Sequence, residues 1–236
     1  QDRFRDFLAN DFGYEDKYFL VGHSVPAADF PYVLPGPADT WGGTWPTSGW
    51  RTHQVNILFG LKEIPSDGTC TLVVDLLDYA KNFLPLVKVS VNTQDAKFQL
   101  DAPGLSVADQ RKPNQMEKIV DTLSITGNLA KATPRRLEIP IRPGVLKAGG
   151  NEVTITVLEG SWILFDRVSL EGPAGTNVEQ PQQLFIRNIE AAPYELADGK
   201  RRVQPLLVDL EWLEGAPALS VELDGKEILN LSLIHI

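Results

Sequence analysis

Apolar and polar residues alternate along much of this chain with a period of two, and that pattern predicts β-strands. The clearest run is 151–158, in which every second residue from Val153 to Val157 is apolar and the residues between them are polar. Such alternation is typical of a half-buried antiparallel strand. A second apolar run, 162–170, follows after Glu159-Gly160. The short spacing predicts a hairpin with a tight glycine turn.

Shorter runs upstream extend the same pattern. They predict strands at 18–22, 54–59, 69–77, 86–91, 96–100 and 137–141. Pro140 suits only an edge strand or a strand end, because it cannot donate a ladder hydrogen bond. No helical periodicity separates these runs. The pattern therefore predicts an all-β fold, a jelly-roll β-sandwich that spans residues 18–172.

A change in composition marks a second region. Residues 173–183 have the composition of a linker, and strand-like runs resume at 184–191, 203–210 and 219–223. Asp224-Gly225 predicts a hairpin turn into the next run. We expect residues 184–230 to be the start of a second, truncated β-sandwich domain, and residues 1–17 to be a linker or the end of a missing upstream domain.

The last six residues, Leu231–Ile236, match the translation of a common transposon sequencing adapter. We therefore expect residues 231–236 to be an artefact and the natural protein to continue beyond Asn230. On this interpretation the chain is a metagenomic fragment, and His235 plays no part in its chemistry.

Charge and cysteine content restrict the partners. The chain has 31 acidic against 22 basic residues and a net charge of -9. That balance disfavours nucleic acid and anionic membranes as partners, because both attract basic surfaces. No apolar run approaches the roughly 20 residues that span a bilayer. Cys70 is the only cysteine, so an intrachain disulfide is excluded.

Three segments resemble the C-terminal jelly-roll domain of rhamnogalacturonan lyases. They are Tyr18-Phe-Leu-Val-Gly22, Leu146-Lys-Ala-Gly-Gly-Asn151-Glu-Val153 and the strand 162–171, WILFDRVSLE. Similar domains precede a further β domain in large bacterial glycoside hydrolases related to α-mannosidases, which residues 184–213 resemble. The resemblance implies a galactose-binding-like, carbohydrate-binding-like sandwich. The catalytic residues of the lyases lie in another domain, so it implies no catalytic residue here.

The long loop 24–51 holds the best candidate binding residues. It is rich in Pro and Gly and contains Tyr32, Trp41, Trp45 and Trp50. A flat, exposed aromatic ring covers the apolar face of a sugar, while nearby polar groups bind its hydroxyls. The alternative is that these rings cap the open end of the sandwich core, since Trp is highly buried on average.

Two residues of the strand 162–170 are predicted to be structural. With regular alternation, Asp166 shares one face with Trp162, Leu164 and Val168. A carboxylate on such a face must be hydrogen-bonded, paired or relieved by a bulge. We therefore predict that Asp166, like Trp162, is structural and that it is a buried polar anchor of the sandwich. The alternative is that Asp166 binds calcium or a ligand.

Catalytic and metal sites are not indicated. His23 and His53 lack the three or four convergent ligands that zinc needs. Jelly-roll modules often hold a structural Ca²⁺, but no Asp-x-Asp cluster supports one here. Carboxylates are plentiful, yet none is singled out as half of a glycosidase pair. We predict no cofactor and no metal.

The sequence thus predicts a non-catalytic, carbohydrate-binding-like module of a large exported polysaccharide-degrading enzyme, a polysaccharide lyase or a glycoside hydrolase. Its partners would be a plant or microbial polysaccharide and the neighbouring domains of the same chain. We expect an extracellular or periplasmic location. The alternative is a structural spacer that packs against the catalytic domain, and a lyase or hydrolase site within this fragment is a third interpretation.

Overall fold

The computed structural model describes residues 17–39, 54–64, 68–81, 83–101, 127–180, 184–199, 201–212, 218–223 and 225–232. The chain divides into two compact units, Gln1–Asn177 and Val178–Ile236. Among the described residues, helix is limited to α1 (Pro26–Asp29) and one 3-10 turn at Leu129–Lys131, neither long enough to cross a membrane.

Within the described residues, nine strands form the first unit. They are β1 (Lys17–Leu20), β2 (Val33–Leu34), β3 (Gln54–Leu61), β4 (Thr71–Tyr79), β5 (Leu86–Val91), β6 (Gln94–Gln99), β7 (Arg135–Pro140), β8 (Gly149–Glu159) and β9 (Ile163–Glu171). One sheet has the order β1-β3-β8-β5-β6, here called the larger sheet. The smaller sheet has the order β2-β9-β4-β7. Pro140 lies in β7, which is an edge strand as predicted.

A single apolar core lies between the two sheets, which confirms the all-β sandwich prediction. The larger sheet contributes the alternating residues of β3, β5 and β8, such as Val55, Val89 and Ile155. The smaller sheet contributes Leu72 and Val74 of β4 together with residues of β7 and β9. Each such side chain contributes about 1.5–3 kcal/mol through burial. Period-two alternation therefore produces two amphipathic sheets, which bury their apolar faces against each other.

The predicted hairpin of 151–158 and 162–170 is wrong. β8 pairs with β3 and β5 in the larger sheet, whereas β9 pairs with β2 and β4 in the smaller sheet. The connection at Gly160–Trp162 therefore crosses the sandwich from one sheet to the other. Both strands turn their apolar faces toward the same core, so they face each other through side chains instead of pairing through their backbones.

The predicted burial of Asp166 is also wrong, because β9 contains a bulge. Opposite β4, Asp75 pairs with Arg167 and Leu76 pairs with Phe165, so Asp166 has no residue opposite it. The extra residue shifts the alternation. Phe165 before it and Val168 after it both pack on the core, and Asp166 is exposed.

Two asparagines fix the turn before β8. Asn151 is buried and accepts from Lys147 N (3.0 Å) while its amide donates to Lys147 O (2.8 Å). Asn92, in the left-handed conformation at φ 47°, donates to Asn151 Oδ1 and to Val145 O. The asparagine in the sequence motif 146–153 is thus explained by a hydrogen-bonded polar network before β8.

The second unit contains β10 (Val178–Glu179), β11 (Leu184–Ala191), β12 (Leu196–Asp198), β13 (Arg201–Val203), β14 (Leu206–Trp212), β15 (Ala218–Leu223) and β16 (Lys226–Ser232). β11 pairs with β14, β12 with β13, and β15 with β16 in two-stranded sheets. The last pair confirms the hairpin predicted at Asp224-Gly225.

The ribbon formed by β11 and β14 has one apolar face. The cross-strand pairs on that face are Ile186 with Leu210, Ile189 with Val208 and Ala191 with Leu206. A bulge at Arg187 keeps the apolar residues in phase along β11. Ile186, Ile189 and Leu206 are exposed.

Several predictions concern residues outside the described ones. They are the linker at 1–16, the second part of the aromatic loop within 40–53, and residues 233–236 of the predicted adapter. Leu231 and Ser232 lie in β16, opposite Leu219 and Ala218. The adapter origin of these residues stays a prediction.

Candidate functional site: the aromatic end of the sandwich

The first part of the predicted binding loop is ordered against one end of the sandwich. After β1 the chain forms α1, whose first turn begins at Pro26, a residue that suits a helix start. Asp29 Oδ2 accepts a hydrogen bond from Val25 N (2.6 Å) and closes this turn. The chain then enters β2, which pairs with β9 at the edge of the smaller sheet.

Three phenylalanines close the core at this end. The rings of Phe19 and Phe30 meet edge to face at 5.6 Å, and those of Phe30 and Phe165 do so at 5.3 Å. Phe30 therefore bridges β1 of the larger sheet and β9 of the smaller sheet. Such aromatic pairs contribute about 0.5–1.5 kcal/mol beyond the burial of their area. These three phenylalanines thus cap the core. The sequence analysis had not singled them out.

Tyr32 lies beside this cluster and is 50 % exposed. Its carbonyl oxygen accepts a hydrogen bond from Phe165 N (2.9 Å), which fixes the backbone on β9. The ring is presented to solvent from an anchored position. It is the one predicted glycan-binding residue within the described part of the loop.

The described loop ends at Asp39, a buried carboxyl group with 7 % exposure. Its Oδ2 accepts from Gly36 N (2.7 Å), and its Oδ1 accepts from the hydroxyl of Ser161. Burial raises the pKa of Asp39 to about 6, and the hydrogen bonds from Ser161 and Gly36 oppose the rise. Asp39 therefore ties the middle of the aromatic loop to the crossing between β8 and β9.

Glycines allow the backbones to approach at this point. A Cβ on Gly36 would lie 2.5 Å from Gly160 O, and Ala38 N donates to that same oxygen (2.8 Å). Gly160 has φ +81°, and its missing Cβ would overlap Leu84 O. Ser161 N donates to Phe83 O (2.9 Å). Three segments are thus joined by short backbone contacts that larger residues would prevent.

The remaining predicted site residues are distributed as follows. Trp41, Trp45 and Trp50 lie outside the described residues, so their role as binding residues stays a prediction. Trp162 is half-buried, and its carbonyl oxygen accepts from Ala80 N (2.9 Å). Asp166 is exposed on the bulge of β9 and anchors nothing in the core.

The described residues do not assemble a catalytic or metal-binding group. His23 is exposed, and His53 lies outside the described part of the chain. Cys70 is buried, and burial raises the pKa of its thiol, which disfavours the reactive thiolate. Within the described ranges, no three His, Cys, Asp or Glu side chains converge to hold a metal ion. Ser161 and Asp39 contact each other, but both are buried and no described imidazole joins them.

Sequence reasoning did not identify Asp39 and Ser161. They are 122 residues apart, and alternation carries no information about such contacts. The sequence did contain a local signal for Asp39. Gly-Pro-Ala-Asp at 36–39 is a turn sequence, and an Asp side chain in such a turn often accepts a hydrogen bond from a backbone N–H.

Comparison with known proteins identifies the family of this chain. No curated protein matches this chain. A solved family GH115 4-O-methyl-alpha-glucuronidase, with specificity for decorated arabinogalactans, is 15% identical. The match covers 50% of this chain and 13% of that chain with a TM-score of 0.28, so this chain spans a small fraction of that protein. Residues 6–170 match the family described as CBM-like, domain III of polysaccharide lyase family 4. Since the match spans more than half of the sequence, the chain belongs to this CBM-like (carbohydrate-binding-module-like) family.

Proposed function

We propose that this chain is a non-catalytic carbohydrate-binding module of a larger polysaccharide-degrading enzyme, and that it binds glycan at the aromatic end of the sandwich. The observation that carries the proposal is the exposed Tyr32 ring, held by its backbone on β9 in a member of a CBM-like family. The parent enzyme would be a polysaccharide lyase or a glycoside hydrolase that acts outside the cell.

The chemistry of this end suits a sugar ring. Tyr32 offers an aromatic face for the C–H groups of a sugar. Trp41, Trp45 and Trp50 follow it within the same loop and are proposed to extend the platform. Asp39 fixes the loop two residues before Trp41, which lowers the conformational entropy lost when a ligand binds. Its own carboxyl oxygens are already hydrogen-bonded within the protein.

The test is a titration of the full chain against a panel of plant and microbial polysaccharides. A single module of this kind should bind with Kd of roughly 0.1–1 mM. We expect Tyr32→Ala to weaken binding about fivefold, because the lost stacking is worth about 1 kcal/mol. Tyr194→Ala is the matched control, since Tyr194 is similarly exposed (52 %) but lies in the second unit. Equal affinity of the two variants for every polysaccharide would refute the assignment to this end.

The alternative function is a structural spacer within the parent enzyme. The exposed apolar face of the β11–β14 ribbon, with Ile186, Ile189 and Leu206, favours packing against another domain of the same protein. In that role the chain binds no polysaccharide of the panel. The same titration therefore distinguishes the two functions.

A further inference from the structure

The residues that follow β9 fold back over one end of the sandwich. β9 ends at Glu171, which pairs with Thr71 at the start of β4 in the smaller sheet. Further along the chain, Asn177 O accepts a hydrogen bond from Lys62 N (3.0 Å), and Lys62 directly follows β3 of the larger sheet. Residues 172–177, here called the strap, therefore pass from one sheet to the other. They do so at the end of the sandwich opposite the crossing between β8 and β9.

A tight turn gives the strap its shape. Thr176 N donates to Pro173 O (3.2 Å), and Gly175 has φ +93°. A glycine with positive φ at the third position of such a turn is typical of type II. Thr176 Oγ1 donates to the same carbonyl oxygen (2.8 Å), and Asn177 Nδ2 donates to Gly175 O (2.9 Å). Local hydrogen bonds thus order a stretch that by composition resembles the start of a linker.

Glycines let the strap lie close to the sandwich. A Cβ on Gly68, in the connection between β3 and β4, would lie 3.0 Å from Pro173 Cβ and Cγ. A Cβ on Gly172 would lie 2.8 Å from Thr176 Oγ1 and 3.4 Å from Cys70 Sγ. Pro173 therefore packs on Gly68, and the strap lies beside the Cys70 thiol.

The thiol beside the strap belongs to the apolar core. Cys70 is 8 % exposed, and its carbonyl oxygen accepts a hydrogen bond from Ile141 N (2.8 Å), which fixes its backbone. Burial raises the pKa of this thiol, so the closed end of the sandwich keeps it protonated and away from reagents in solution. Access to the thiol thus reports whether this end is closed.

The strap itself is shallow. Gly172, Ala174, Gly175 and Asn177 are exposed, and only Pro173 and Thr176 are half-buried. The described contacts that attach it are the hydrogen bond from Lys62 N and the packing beside Gly68 and Cys70. Segments with few buried apolar contacts open at a lower free energy than the whole domain. The strap should therefore open while the two sheets stay packed.

We propose that the strap is a releasable closure of the sandwich. Closed, it covers the Cys70 thiol and holds the chain beside β3 up to Asn177, where the first unit ends. Open, it exposes the thiol without unfolding the sandwich. The device is independent of the proposed glycan binding, because it uses residues other than Tyr32 and the aromatic loop.

Thiol labelling of the full chain with DTNB measures the opening, because Cys70 is the only cysteine. The Cys70 thiolate displaces one thionitrobenzoate from the reagent and forms a mixed disulfide. Labelling through global unfolding rises steeply with urea, since unfolding exposes a large surface. Labelling through release of the strap exposes little surface. We therefore expect a labelling rate that is independent of urea well below the unfolding transition.

A first variant loosens the turn of the strap. Thr176→Val removes the side-chain hydrogen bond to Pro173 O at nearly constant volume and should raise the labelling rate about fivefold. Thr154→Val is the matched control, because it removes a threonine hydrogen bond to Asn56 Oδ1 in the larger sheet. At low urea the control should be labelled at the rate of the parent.

A second variant pushes the strap away from the sandwich. Gly68→Ala places a methyl group against Pro173 and should raise the labelling rate about tenfold. Gly144→Ala is the matched control, because Gly144 also has a positive φ but an added Cβ there meets nothing within 4 Å. Any effect of backbone strain alone is therefore measured by the control.

Each outcome decides one part of the proposal. Faster labelling of Thr176→Val and Gly68→Ala than of their controls supports the strap as a releasable cover. Equal rates in the variants and their controls overturn it as the cover of Cys70. Labelling of the parent only through global unfolding overturns the release. Labelling of the parent as fast as that of the urea-unfolded chain overturns the closure.

Discussion

Burial changes the acidity of the Asp39 carboxyl group. Burial raises its pKa from 3.8 to about 6. Between these values the folded state binds the proton more tightly than the unfolded state does. The stabilisation that this gives is complete below pH 3.8 and is lost as the pH rises through 6. Two pKa units correspond to an upper limit of about 3 kcal/mol.

We therefore expect Asp39→Asn to remove this pH dependence. The amide keeps an oxygen for Gly36 N, and the Ser161 hydroxyl can rotate to accept from the new NH2 group. Between pH 4 and pH 7, the free energy of unfolding of the parent should fall relative to that of the variant. Urea unfolding at several pH values measures the difference. Asp166→Asn, at an exposed carboxyl group, is the control, and a parallel course of the parent and Asp39→Asn would contradict the prediction.

Truncation to alanine should destabilise the protein more at Asp39 than at Asp166. Asp39→Ala leaves the Gly36 N–H and the Ser161 hydroxyl without their acceptor and should cost about 1–3 kcal/mol. Asp166→Ala removes an exposed side chain on a bulge and should change stability by less than about 0.5 kcal/mol. Denaturant unfolding of both variants measures this. A large loss in Asp166→Ala would restore the role of a buried anchor that its sequence position suggested.

At the scale of elements, the crossing between β8 and β9 depends on a glycine. Gly160 and Gly144 have the same φ of +81°, but an added Cβ overlaps Leu84 O at Gly160 and meets nothing within 4 Å at Gly144. Gly144→Ala thus measures backbone strain alone, about 1–2 kcal/mol. Gly160→Ala should cost a further ~1–3 kcal/mol, because the crowded segment must move.

Chemical denaturation of the two glycine variants measures that difference. Equal losses would mean that the crossing can shift without cost and that its close packing on 83–84 does not constrain the sandwich. A larger loss of stability in Gly160→Ala would support this constraint. The substitution would also disturb the aromatic loop near Asp39, because Ala38 N donates to Gly160 O.

At the scale of the whole molecule, the two units have separate sets of internal contacts. The apolar core of the sandwich is formed by residues between Leu34 and Phe165. Deletion of residues 231–236 should therefore leave the melting temperature of the first unit unchanged. Differential scanning calorimetry measures it, with Ile155→Ala as the positive control, since truncation in the core costs about 2–5 kcal/mol. A lower melting temperature of the first unit after the deletion would show that these residues stabilise it.

The sequence by itself determined most strands of the sandwich, the inward faces of β3, β5 and β8, and the fold class. The apolar positions of β3, β5 and β8, such as Val55, Val89 and Val153, alternate with polar ones, and each faces the core as predicted. This succeeds because the side-chain period of a strand is a local property of its backbone. The turn of Asp224-Gly225 was predictable for the same reason, since its geometry depends on two residues.

Only the tertiary structure decided which strands pair and which polar groups meet. A hairpin and a crossing between facing sheets have the same alternation, so 151–170 could not reveal that β8 and β9 lie in different sheets. The bulge at Asp166 is one extra backbone residue. The sequence allowed a bulge there but could not choose it over a hydrogen bond or an ion pair. Asp39 meets Ser161 across 122 residues of sequence. Each of these features depends on contacts between distant segments, and those exist only once the two sheets have packed.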